Sequence, residues 1–90
     1  MRYAWDPAKD ALNRRKHGLS LADGIRALED PDRETWIDDR LDYEEERIIT
    51  LGLGLHGILY VVSTEPETDC IRIISVRRAK LYEIERYGLG

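Results

Sequence analysis

The sequence predicts an α+β fold with two N-terminal helices, a three- to four-stranded antiparallel sheet and a C-terminal helix. Residues 6–30 combine helix-capping signals with apolar residues at helical spacing. Residues 47–76 contain three β-rich runs joined by short polar turns, and residues 77–87 return to a helical pattern. Runs of strands flanked by helices are typical of folds in which helices pack against an antiparallel sheet.

Capping residues mark the two N-terminal helices. Asp6-Pro7 is a favourable helix start, because the carboxylate caps the first turn and proline fits the first helical position. Gly18 supplies the left-handed residue that ends this helix. Ser20 and Asp23 form a capping-box pattern for a second helix, which the dipeptide Asp30-Pro31 ends. The two segments are therefore expected to form a short helical hairpin.

The strands follow in the second half of the chain. A short strand is expected around Trp36, and the last helix is expected to run from near Arg77 to Tyr87. Strands joined by such short loops must form an antiparallel meander. The three main strands are predicted at Arg47–Leu53, Ile58–Thr64 and Cys70–Val76.

Length and composition indicate one globular domain over residues 1–90. The N-terminus lacks an apolar signal segment, no apolar stretch approaches the length of a membrane span, and a lone cysteine, Cys70, is expected to be a buried thiol. These features favour a cytoplasmic protein with no membrane association. The net charge of −4 argues against broad nucleic-acid binding.

The charges are nevertheless unevenly distributed. Cations gather at Arg14–His17 and again between Arg72 and Lys80, whereas residues 29–46 are strongly acidic. The acidic cluster includes Asp38, Asp39, Asp42 and Glu44–Glu46, but its spacing matches no calcium loop and the chain has no Cys/His zinc pattern. No metal or other cofactor is therefore expected. A mixed, solvated surface is the alternative interpretation of the charge pattern.

Three ordered motifs resemble those of one protein family. They are WDPAKDALNRRKHGLSLADG, DYEEERIITLG and RIISVRRAK followed by a glutamate and a tyrosine, and they extend from Trp5 to Tyr87. This pattern resembles the BrnT toxins of bacterial type II toxin–antitoxin systems. The resemblance implies a RelE-like fold and a ribonuclease that arrests translation. It also implies a BrnA-type antitoxin that neutralises the toxin, possibly as two toxins with two antitoxins, and that alone contacts operator DNA.

Metal-independent RNA cleavage needs a base for the 2′-hydroxyl, cations for the charged phosphorane and an acid for the leaving oxygen. Guanidinium groups match phosphate oxygens, and an unperturbed histidine titrates near neutral pH. Structural roles as caps, ion pairs or core residues remain open for each candidate. The candidates for substrate binding are Arg47, Arg72 and Arg78, and those for catalysis are Lys16, His17, Arg77, Glu83 and Tyr87.

A non-catalytic role is the competing hypothesis. The net acidity and Tyr82, which stands where the family often carries a basic residue, motivate it. The chain would then only bind a DNA-binding antitoxin and modulate its repressor activity.

Overall fold

The computed structural model describes residues 1–40 and 44–89 of the chain. The predicted acidic residue Asp42 lies outside these residues. A single turn of 3-10 helix covers Leu21–Asp23. The α-helices are Pro7–His17 (α1), Gly24–Leu28 (α2) and Leu81–Leu89 (α3), and the strands are Arg2–Ala4 (β1), Glu34–Asp38 (β2), Arg47–Gly54 (β3), Gly57–Glu67 (β4) and Cys70–Arg78 (β5).

The strands form one five-stranded sheet in the order β1-β5-β4-β3-β2. The α+β class is confirmed, but the prediction of a three- to four-stranded antiparallel sheet is wrong, because β1 joins β5 in parallel. Only three residues form β1, with Tyr3 opposite Ile71. A segment this short has no periodicity of its own, so its pairing depends on contacts with a distant part of the chain.

The caps of the first helix are confirmed. The Asp6 carboxylate accepts a hydrogen bond from the Ala8 amide at 2.9 Å, and Gly18 adopts the left-handed conformation at φ 72°. The Ser20–Asp23 capping box is also present, but it opens the 3-10 turn rather than an α-helix. The predicted second helix is therefore shorter than expected: five α-helical residues follow the 3-10 turn.

The predicted boundary between the last strand and the last helix is wrong. Arg77 and Arg78 belong to β5, and α3 begins at Leu81. Pairing of Arg77 with Tyr60 on β4 extends the strand. The Glu83 carboxylate accepts a hydrogen bond from the Lys80 amide at 2.7 Å, which satisfies an N-terminal donor of α3. Strand β4 likewise continues past its predicted end, to Glu67.

The sheet has two differently covered faces. On the face that we call the helix face, the 3-10 turn and α2 cover a core that includes Leu21, Leu59 and Val61. Tyr60 and Ile49 belong to a smaller apolar cluster on the opposite face, which we call the open face. There α3 lies across one end of the sheet, so the remainder of this face is available to form a site.

Close packing fixes α2 against the sheet. A Cβ atom at Gly52 of β3 would lie 2.1 Å from the Ala27 carbonyl oxygen of α2. Only glycine permits this approach.

Among the described residues, no helix is both long and apolar enough to cross a membrane.

Candidate functional site

The strand register places several polar side chains on the open face. Arg72 of β5 lies opposite Thr64 of β4, and Ser75 lies opposite Val62. Between these pairs the register shifts, so that Ser63 is opposite Ile73 and no residue of β4 is opposite Ile74. A bulge of this kind bends the strand and turns side chains toward a new direction, and bulges are common beside functional sites.

A buried asparagine fixes the first helix against the edge of β5. The Asn13 amide donates hydrogen bonds to the carbonyls of Leu19 and Val76, at 2.8 and 2.9 Å, and accepts one from the Val76 amide at 3.0 Å. Asn13 therefore occupies the place of a neighbouring strand residue. Since Lys16 and His17 follow within one helical turn, this contact also determines where they lie relative to β5.

Two connected grooves run between α1 and the open face. The larger, of about 670 Å³, is lined by residues that include Lys16, His17, Arg47 and Ser75. The smaller, of about 280 Å³, is lined by residues that include Arg47, Thr64 and Arg72. Because Lys9, Arg47 and Ile74 line both, we treat them as one feature. We define the basic trough by Lys9, Lys16, His17, Arg47, Thr64, Arg72 and Ser75.

Two carboxylates also border the trough. Glu44 and Glu45 line the smaller groove, and Glu45 Oε1 lies 3.5 Å from Arg72 Nη1. Both side chains of this ion pair are about half exposed, so the contact is screened by water and easily broken. The trough is thus a cationic surface beside a carboxylate that an anionic ligand can displace.

Arg77 is held rigidly beside the trough. Its guanidinium donates two hydrogen bonds to the Glu83 carboxylate, at 2.8 and 2.9 Å, and one to the Arg78 carbonyl at 3.1 Å. The same group lies 3.8 Å from the centre of the Tyr60 ring. Burial favours a higher pKa for Glu83, but its hydrogen bonds to Arg77 and the Lys80 amide outweigh burial and lower the pKa. Glu83 is therefore an ionised partner of Arg77.

The local electrostatics favour a neutral His17. Burial lowers the pKa of His17, and the positive charges of Lys16 and Arg77 lower it further. A histidine with a lowered pKa is neutral at pH 7 and can accept a proton. The end of α1 lies close to the end of β5, because Arg78 Nη1 is 3.4 Å from the His17 carbonyl oxygen.

The structure separates two of the predicted site residues from the trough. Arg78 pairs with Leu59, which belongs to the helix face, and its Nη1 lies 3.4 Å from the His17 carbonyl oxygen. Tyr87 donates a hydrogen bond to Asp30, which raises the tyrosine pKa to about 12. This contact ties α3 to the segment that follows α2. Lys16, His17, Arg47 and Arg72 converge in the trough, and Arg77 with Glu83 lies beside it.

Sequence reasoning missed Asn13, Thr64 and Ser75, and gave Lys9 no role. The first three are neutral polar residues inside helical or strand patterns, where their side chains carry no signal distinct from a surface position. The one available clue was Asn13, since asparagine has a low helix propensity. Among residues 1–40 and 44–89, no group of three or more His, Cys, Asp or Glu side chains is placed to hold a metal ion.

Fold and site together define a small α+β domain with a basic trough on the open face of its sheet. A family model described as the ribonuclease toxin BrnT of type II toxin–antitoxin systems matches residues 5–83. The chain therefore belongs to the BrnT family of ribonuclease toxins.

A solved structure supports this fold. The crystal structure of the Brucella abortus ribonuclease toxin BrnT is similar to the present chain, with a TM-score of 0.68 and 24% sequence identity. The similarity covers 89% of this chain and 97% of the Brucella chain. The comparison with curated protein sequences gave no match.

Proposed function

We propose that this chain is a metal-independent endoribonuclease toxin whose active site is the basic trough beside Arg77. The observation that carries the proposal is convergence: cations from α1, β3 and β5, which are far apart in the sequence, meet in one groove with a neutral histidine. This set can bind a phosphodiester and accept a proton from its neighbouring hydroxyl.

His17 is the proposed general base. Its lowered pKa keeps the imidazole neutral near pH 7, so that it can take the proton of the 2′-hydroxyl. Attack of this oxygen on phosphorus forms a 2′,3′-cyclic phosphate and breaks the bond to the 5′-oxygen. The requirement for a 2′-hydroxyl restricts the reaction to RNA.

Cations around the trough stabilise the charge that develops on the phosphorane. We assign this role to Lys16 and Arg77, while Arg47 and Arg72 bind the phosphates that flank the scissile bond. Three of the five N–H donors of Arg77 are used in its contacts with Glu83 and the Arg78 carbonyl. The other two are available for a substrate oxygen.

The remaining candidates have supporting roles in this proposal. Glu83 is a positioning residue, because it fixes the plane of the Arg77 guanidinium without lying in the trough. Tyr87 anchors α3 through Asp30, and Arg78 anchors the end of α1. The 5′-oxygen must then receive a proton from a lysine or a water molecule. Lys16, at the end of α1, is the candidate lysine because it lines the larger groove.

The family supplies the rest of the proposal. A type II toxin is neutralised by an antitoxin protein, and we propose a BrnA-type antitoxin that forms a hetero-oligomer with this chain in the cytoplasm, possibly two toxins with two antitoxins. The toxin would reach operator DNA only through that antitoxin. No cofactor is needed for the reaction as written.

Induction of the chain without antitoxin tests the activity. We expect growth arrest and fragmented RNA, and we expect His17→Gln and Arg77→Ala to relieve both while remaining folded. Arg26→Ala is the matched control, because it removes an exposed arginine from α2, away from the trough. Cleavage by purified protein should persist in EDTA.

A non-catalytic interaction module is the second candidate. The net charge of −4, which suits a basic protein partner, is the observation that favours it. Normal growth with intact RNA, despite folded protein that binds its antitoxin tightly, would establish the interaction module and exclude the ribonuclease.

A further inference from the structure

Thr64, which lines the smaller groove, carries a buried hydroxyl whose role is unexplained. The residue is 3% exposed, and Oγ1 has no hydrogen-bond partner among the described residues. Glu34 Oε2 is the other such atom in that part of the chain, but the Arg86 guanidinium lies 3.9 Å from it. Burying an unpaired hydroxyl is unfavourable, so each example needs an explanation.

The surroundings of Thr64 indicate what the hydroxyl would bind. Arg72 lies directly opposite on β5, and Arg47 and Lys9 line the same groove. Three cations around one hydroxyl donor match the oxygens of a phosphate. Glu44 and Glu45 line the same groove, so an anionic ligand would compete with their carboxylates for these cations.

We infer that Lys9, Arg47, Thr64 and Arg72 form a second phosphate subsite, which binds a non-scissile phosphodiester of the RNA substrate. This inference rests on the proposed function for the identity of its ligand. Thr64 and Val62 lie on the same face two residues apart on β4, and Val62 pairs with Ser75 of the larger groove. Thr64 and the position of β4 beside Ser75 are therefore about 7 Å apart along the strand, which is comparable with the step between successive phosphates.

The inference also assigns a role to Glu45. Its carboxylate, 3.5 Å from Arg72, occupies part of the subsite in the free protein. A phosphate must displace this carboxylate from Arg72, so Glu45 weakens the binding of RNA. A ligand with too little negative charge would not displace it. Displacement costs little because both groups are half exposed.

Binding of a short 2′-O-methyl oligoribonucleotide, measured by fluorescence anisotropy at low salt, tests the subsite. This probe cannot be cleaved, because its 2′-oxygens are blocked. Thr64→Val should weaken binding by about tenfold, as expected for loss of one hydrogen bond to a charged group. It should also keep or raise the melting temperature, because it removes a buried unpaired hydroxyl. Thr35→Val, an exposed threonine of β2, is the matched control and should change neither quantity.

Two charge-neutralising substitutions test the role of Glu45. Glu45→Gln should strengthen probe binding several-fold, whereas Glu85→Gln makes the same change on the exposed side of α3 and should have little effect. Equal effects from both variants would show that only net charge matters and would overturn the role of Glu45.

Two results would overturn the subsite itself. One is unchanged probe affinity in Thr64→Val, and the other is a lower melting temperature together with weaker binding, which is the signature of a structural hydroxyl. Inorganic phosphate should compete with the probe in the wild type and compete less in Thr64→Val. If the probe binds through Thr64 but unmodified RNA is not cut, the ribonuclease proposal fails while the subsite stands.

Discussion

Replacing Asn13 by alanine should destabilise the protein by about 3 kcal/mol. Asn13 is 6% exposed, and its side chain makes three hydrogen bonds to backbone groups of Leu19 and Val76. Each such bond contributes on the order of 1 kcal/mol, and leaving buried backbone groups unpaired has a cost of similar size. Since small domains are stable by about 5–15 kcal/mol, the variant should fold but with a much reduced margin.

Urea unfolding followed by tryptophan fluorescence measures this loss. Trp5 packs against the helix-face core and Trp36 against the cluster on the open face, so the two residues report on both sides of the sheet. Arg15→Ala, on the exposed surface of the same helix, is the control and should change the free energy of unfolding by less than about 0.5 kcal/mol.

A second substitution separates hydrogen bonding from packing. Asn13→Asp keeps the volume and the acceptor for the Val76 amide, but it loses both donors and points a negative charge at two carbonyl oxygens. It should therefore be at least as destabilising as alanine at pH 7. A loss below about 1 kcal/mol in both variants would refute the conclusion that Asn13 joins α1 to β5.

Three further predictions follow from the site and the packing. The cleavage rate should fall on acidification, at a pH below the ordinary histidine value, because protonation removes the His17 base at its lowered pKa; Lys16→Met should raise that pKa and move the acidic limb of the pH–rate profile to higher pH. Because the pKa of Glu83 is lowered from 4.5, its contribution to stability is present above that pH and lost as the pH falls through the folded-state value; the difference in melting temperature between wild type and Glu83→Gln should therefore shrink on acidification. Gly52→Ala should destabilise the protein by about 3 kcal/mol or more in urea unfolding, because its Cβ would overlap a backbone carbonyl, whereas Gly88→Ala, with nothing within 4 Å, should be neutral or stabilising.

Local signals predicted the parts of the fold that depend on neighbouring residues. The caps at Asp6, Gly18 and Ser20 are present as predicted, because each is satisfied within a few positions of the chain. The start of α3 was not predictable in this way. It depends on Arg77 remaining in the sheet opposite Tyr60, which is a contact between strands rather than a preference of the segment itself.

The candidate site was partly predictable for the same reason. Charged residues such as Lys16, Arg47 and Arg72 stand out in a sequence, and the structure brings them together. Asn13 and Thr64 do not stand out, since their importance comes from burial and from the partners that the fold gives or denies them. Their roles could be recognised only from the three-dimensional structure.

Under the proposed function, the contrast between the net charge and the trough limits how this protein would bind RNA. A protein with a net charge of −4 repels a polyanion at long range, so attraction begins only within about one Debye length, roughly 8 Å at physiological ionic strength. The cations assigned to phosphates supply at most five contacts, from Lys9, Lys16, Arg47 and Arg72 in the trough and from Arg77 beside it. For single-stranded RNA this sets the slope of log affinity against log salt concentration at about −3.5 or shallower. Binding would then be weak and local, and the proposed cleavage would depend on the fixed geometry around His17 and Arg77 rather than on a broad electrostatic field.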